Sequence, residues 1–164
     1  MLTTQLYVIR HATAEDAGEE GDHARRLTRK GRKRFVRLVR RLIAAGVEID
    51  LIATSPLVRT VETAEALADE LESERGTRPR LEVVDALAPG SDWQTVVEWT
   101  VTQDAARVAW VGHAPCVGRL VALSIGDGSA AVRMQKGAVA AIALGDGLGQ
   151  PGELEWLVTP DLLD

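Results

Sequence analysis

Leu6-Tyr7-Val8-Ile9 runs directly into Arg10-His11-Ala12-Thr13. Four apolar residues without polar alternation suit a strand covered on both faces, as in a parallel sheet flanked by helices. The strand delivers an arginine and a histidine at its C-terminal end, the edge of an open α/β sheet where ligands bind. Arginine grips phosphate through paired hydrogen bonds, and a neutral imidazole can attack it. A lone Arg-His pair also fits a strand capped by two polar surface residues, so the rest of the chain decides.

Outward from that stretch, strand-like and helix-like segments alternate. A loop rich in glycine and acid (Glu15, Asp16, Glu19, Glu20, Asp22) ends at Thr28, which reads as the N-cap of a helix to about residue 45. Phe35, Leu38, Val39, Leu42 and Ile43 recur there at helical spacing, and Gly46 is placed to end it. Residues 50–54 read as a second buried strand, and Ser55-Pro56 opens a helix with Val61, Ala64, Ala68 and Leu71 as its stripe. After a loop at 75–79 come a strand at 81–84, a helix capped by Ser91 to about 102, and a strand at 107–111. Gly112-His113-Ala114-Pro115 turns into a helix over about 116–125, and closing strands are expected at 137–144 and 154–158. The glycine-rich stretch 145–152 between them lacks the lysine and following helix of a phosphate loop and reads as a hairpin connection. The expected fold class is α/β: a three-layer α/β/α sandwich around a mostly parallel sheet of about six strands, with residues 1–164 as one domain.

Composition narrows the function. With 46% apolar and 26% charged residues the chain is of ordinary globular character. No apolar run reaches the roughly 18 residues that span a bilayer, and no N-terminal secretion pattern is present. The single cysteine, Cys116, allows no intramolecular disulfide. A cytoplasmic protein without membrane association is expected. The net charge of −5 hides an asymmetry: ten of the nineteen basic residues lie between Arg25 and Arg41. Such a run suits an acidic partner, though it reads more simply as a solvated helix face. None of Trp93, Trp99, Trp110 and Trp156 interleaves with it, so stacking platforms for nucleic acid are absent and no nucleic-acid partner is expected.

Three strand ends carry phosphate chemistry. The first ends in Arg10-His11; the second in Thr54-Ser55-Pro56-Leu57-Val58-Arg59, with Arg59 in the first turn of a helix; the fourth in Gly112-His113. Each has a plain explanation alone, but three at one sheet edge point to an anion site. Metal chemistry fits poorly, because zinc takes three or four ligands and His23 is the only other histidine. No metal and no cofactor are expected.

The combination resembles the histidine phosphatase superfamily, with its phosphoglycerate mutase-like fold. Arg10-His11 matches the nucleophile motif, Ser55 through Thr60 with Glu62-Thr63-Ala64 the second arginine, and Gly112-His113 the second histidine. More narrowly it resembles the small SixA-type phosphohistidine phosphatases, through Asp22-His23-Ala24-Arg25-Arg26-Leu27-Thr28 and the segment from Gly112 to Val121. The resemblance implies that His11 is the nucleophile and that Arg10, Arg25, Arg59 and His113 bind and stabilise the phosphoryl group. His11 would be neutral, its second nitrogen donating to a backbone carbonyl, and His113 protonated beside phosphate. The implied substrate is a phosphohistidine-bearing protein and the product is phosphate. The sequence leaves the oligomeric state open.

Two departures matter. Arg26 stands where the subgroup has proline, so Arg26 competes with Arg25 for the clamp. No glutamate follows the third strand as proton donor; Asp22 is the best replacement, ahead of Glu15 and Asp16. That absence favours an easily leaving imidazole over an alcohol. A phosphatase of a small ester or nucleotide, and a non-catalytic module binding phosphorylated partners, remain as alternatives.

Overall fold

The alternation of apolar runs with amphipathic segments becomes a six-stranded sheet between two pairs of helices. The structure, a computed structural model, describes residues 2–164. Strands β1 (Gln5–Arg10), β2 (Leu51–Thr54), β3 (Arg80–Val83), β4 (Arg107–Gly112), β5 (Val139–Ala143) and β6 (Glu153–Val158) lie in the order β3-β2-β4-β1-β5-β6. The first four are parallel; β5 runs antiparallel to β1, and β6 antiparallel to β5. Helices are α1 (Arg29–Ala44), α2 (Val58–Arg75), α3 (Trp93–Val101) and α4 (Cys116–Ile125).

Alternate residues of β1 serve opposite layers, as the two-residue strand period requires. Tyr7 and Ile9 pack with Phe35, Leu38 and Val39 of α1 and Ala64, Leu67 and Leu71 of α2. Leu6 and Val8 face Val96 of α3 and Val117, Leu120 and Val121 of α4. Each fully buried side chain of this kind contributes about 1.5–3 kcal/mol through removal of apolar surface from water. Trp110 is entirely buried in the second layer, and its Nε1 donates to Thr100 Oγ1 at 3.0 Å. No helix among the described residues is long and apolar enough to cross a membrane.

Local signals place most boundaries. Thr28 Oγ1 accepts from Gly31 N at 2.9 Å, capping α1, and Gly76 (φ 75°) ends α2 in the left-handed region that glycine tolerates. Other boundaries differ from the sequence reading. Ser55 does not open α2, because its amide still donates to Val111 O at 3.0 Å and extends the strand; Leu57 is the N-cap. Asp92 rather than Ser91 caps α3, accepting from Gln94 N at 3.2 Å, while Ser91 Oγ turns back to Ala88 O. β3 is a mostly exposed edge strand, displaced by one residue from 81–84. β5 starts at Val139 because Gly137 adopts φ 76°, outside strand geometry.

Candidate active site

Parallel pairing brings the three expected strand ends together. Arg10 is in register with Gly112, and His11 N donates to Gly112 O at 3.0 Å, so the residues following β1 and β4 leave the sheet side by side. The rings of His11 and His113 lie with centroids 5.4 Å apart. Helices α2 and α4 begin immediately beyond β2 and β4, so both helix N-termini face this edge with their positive dipole ends.

His11 is 5% exposed, and its Nδ1 lies 2.7 Å from Ala12 O. A carbonyl only accepts, so Nδ1 carries the proton and Nε2 presents its lone pair. Burial pushes the His11 pKa down to about 4; the Ala12 carbonyl opposes this, while Arg59, His113 and Arg10 add to it. The imidazole is therefore neutral near pH 7. Its loop is pinned through one hydroxyl: Thr63 Oγ1 accepts from Ala12 N at 3.1 Å and donates to Arg59 O at 2.7 Å.

His113 is 3% exposed, with Nε2 2.8 Å from Ser55 Oγ and a buried Nδ1 that has no partner. Burial, and then Arg59, push its pKa down to about 4 as well, with Asp22 opposing. Without an anion both histidines are thus neutral, whereas the family resemblance calls for a protonated His113 beside phosphate. Burial first, then Arg59 and Arg10, disfavour the proton, and an entering dianion supplies the charge that restores it.

The arginines complete the ring. Arg10 Nη1 donates to Met134 O at 3.0 Å, and Arg59 holds Asp22 through Nη1 to the carbonyl (2.9 Å) and Nη2 to Oδ2 (3.1 Å). The Nε atoms of Arg10 and Arg59 are buried without partners. Arg25 joins the same cluster, donating from Nη1 to Asp22 Oδ1 at 3.1 Å and from Nε to Glu15 O at 2.6 Å. Arg26 does not compete: its side chain is 73% exposed and pairs with Glu62 Oε1 at 2.9 Å. Glu62 Oε2 also accepts from Leu27 N at 2.7 Å. An Ala14–Leu27 bridge ties the two ends of the loop, which holds its shape without the missing proline.

The surroundings of Asp22 run against its expected part as proton donor. Arg25, and secondarily Arg59, hold its carboxyl below the usual range, and its side chain is 58% exposed. It is an ionised counter-ion to two guanidiniums, and Glu15 offers the cluster only a carbonyl. Ser55, Glu62 and Thr63 were not singled out individually in the sequence. Arg59, Glu62 and Thr63 sit at i, i+3 and i+4, so their shared helix face was readable; the Met134 carbonyl left no trace in residue types. Among the described residues no group of three or more His, Cys, Asp or Glu could hold a metal ion.

Comparison with known proteins gives these features a setting. The sequence profile of the histidine phosphatase superfamily (branch 1) matches residues 6–123. An uncharacterized protein of Picosynechococcus sp. is 37% identical over 120 residues, which cover 70% of this chain and 68% of that protein. The structure of the protein histidine phosphatase SixA complexed with tungstate superposes with a TM-score of 0.84 at 26% identity, covering 98% of this chain and 99% of that one. The alpha-ribazole phosphatase from Shigella flexneri, at 16% identity, shares the fold with a TM-score of 0.68 over 95% of this chain and 96% of its own.

Proposed function

The chain belongs to the histidine phosphatase superfamily (branch 1), and from that premise we propose that it hydrolyses phosphohistidine on a protein through a phosphorylated His11. The observation that carries this reading is the set of buried, unpartnered nitrogens near a neutral imidazole: the donors Arg10 Nε and Arg59 Nε, and the ring nitrogen His113 Nδ1, which donates once His113 is protonated. Buried donors left unpaired cost free energy, and a tetrahedral oxyanion satisfies them.

His11 Nε2 attacks phosphorus as the P–N bond to the substrate imidazole breaks, and the departing ring, open to solvent, takes its proton from water. Water then cleaves the phosphoryl-His11 bond and releases inorganic phosphate, regenerating the neutral nucleophile. Arg10, Arg25, Arg59 and His113 stabilise charge on the three transferred oxygens. A dianion beside His113 restores the proton that burial and Arg59 disfavour. Asp22 positions Arg25 and Arg59 rather than supplying a proton, which suits a leaving group that needs little help.

Two features favour a protein substrate. The SixA structure matches over nearly its whole length, so this chain adds no inserted segment over the site relative to it. The exposed cations Arg29, Lys30, Arg32, Lys33 and Arg41 of α1 have no carboxylate partner among the described residues and suit an acidic partner surface. A small phosphate ester is the second reading, favoured by a cavity of about 480 Å³ that Arg10 shares.

The test uses a carrier protein phosphorylated on histidine and an aryl phosphate, each with and without chelator. Release from the carrier that survives chelator and disappears in His11→Ala, by about 10⁴-fold or more, is the expected result. Turnover of the aryl phosphate alone would overturn the protein-substrate reading.

A further inference from the structure

The cavity that Arg10 shares carries, besides that arginine, charge that phosphoryl transfer does not use. Its walls include Arg10, Arg34, Arg133, Lys136 and Asp161. It adjoins the nucleophile because the segment entering β5 is fastened to the end of β1. Gly137 N donates to His11 O at 3.0 Å, Arg10 N to Ala138 O at 3.1 Å, and Arg10 Nη1 to Met134 O at 3.0 Å. Arg133 and Lys136 are therefore carried on a strap held to the backbone of the nucleophile itself.

Four cations and one carboxylate line this space, and the carboxylate is already engaged. Arg34 Nη2 binds both Asp161 and Asp164. Arg133 and Lys136 are exposed and have no carboxylate partner among the described residues. A further donor on the walls, Arg34 Nε, is buried without a partner. The volume of about 480 Å³ exceeds what a carboxylate side chain needs and lies within the usual range for ligand pockets.

We propose that Arg133 and Lys136, with Arg34 behind them, form a second anion subsite that receives an acidic side chain flanking the phosphohistidine of the protein substrate. The proposal rests on the phosphohistidine reading above for its substrate and adds the sequence context that the site selects. Each partly exposed ion pair contributes about a factor of three, so the two together favour an acidic neighbour about tenfold.

The experiment compares kcat/KM within two matched pairs of substrates. One pair is a phosphohistidine peptide flanked by aspartates and the same peptide flanked by asparagines; the other is 3-carboxyphenyl phosphate and phenyl phosphate. Wild type is expected to prefer the aspartate peptide about tenfold. The ratio should fall to near one in Arg133→Gln/Lys136→Gln and to one or below in Lys136→Glu. These side chains are exposed, and a thermal melt of each variant checks its fold.

Equal rates on the two peptides, or a preference that survives both variants, overturn the subsite while leaving the phosphohistidine reading intact. If neither peptide is hydrolysed but the carboxylated aryl phosphate is preferred and the variants abolish that preference, the subsite stands and the phosphohistidine reading falls. Failure to turn over any of the four counts against both.

Discussion

Arginines stand at both ends of the parallel strands, and the fold treats them oppositely. At the N-terminal end, Arg107 opens β4 and spends its whole guanidinium on carboxylates. Nη2 meets Asp50 Oδ1 at 2.6 Å, Nε meets Asp50 Oδ2 at 3.1 Å, and Nη1 pairs with Glu48. At the C-terminal end Arg10 and Arg59 each keep a buried Nε with no acceptor. A saturated fork joins chain segments, whereas an unsaturated one stores binding capacity for an anion that comes and goes. Unpaired buried donors lower stability, so the second arrangement persists only where function requires it.

The sharpest way to break this contrast is Arg59→Met. It should lower kcat/KM by about 10²–10³-fold while leaving the urea midpoint unchanged or raised, since an unsatisfied donor disappears. A parallel loss of stability would mean that the Asp22 contacts, not the free Nε, explain this arginine.

A second test uses pH. Folding depresses both His11 and His113 to about 4, below the ordinary value near 6.5. The unfolded chain therefore takes up protons first, so their contribution is complete above about pH 6.5 and is lost as pH falls towards 4. Urea unfolding should show a decline of a few kcal/mol across that window. The decline should be shallower in His11→Gln; equal slopes in variant and wild type would refute the neutral buried imidazole.

Filling the free donors should have the next largest effect. Phosphate or tungstate at a hundred times its dissociation constant should stabilise wild type by about 2.7 kcal/mol. A thermal scan should find that gain lost in Arg59→Met and kept in Arg107→Ala. Last, Arg107→Ala itself should cost about 1 kcal/mol, discounted for partial exposure, with kcat/KM unchanged. Altered turnover there would blur the distinction between the two ends.

Most of the fold and the identity of the site were legible because they rest on local signals. Apolar runs gave β1, β2 and β4, Thr28 and Gly46 bracketed α1, and motif residues at strand ends follow from where parallel strands stop. What stayed hidden depends on long-range contact. Nothing local distinguishes Arg25 from Arg26; only the reach of Glu62 from α2 decides which one turns to the site. The weakness of Asp22 as an acid arises from Arg59, which is thirty-seven residues away. The strap at 131–138 reads as plain loop until the sheet sets it beside β1.

That placement follows from one strand reversal. Because β5 runs against β1, with Ile9 opposite Val139, the chain enters β5 where β1 finishes. In an all-parallel sheet this edge is furnished only by segments leaving strands, and those carry the nucleophile and the clamp. The reversed strand admits an incoming segment as an extra wall, whose Met134 carbonyl steadies Arg10 while its exposed side chains at 133 and 136 touch no catalytic group in the described contacts. Reaction and recognition then share one backbone but not the same side chains, so exchanging Arg133 and Lys136 alters what the site meets while the Met134 carbonyl keeps its hold on Arg10.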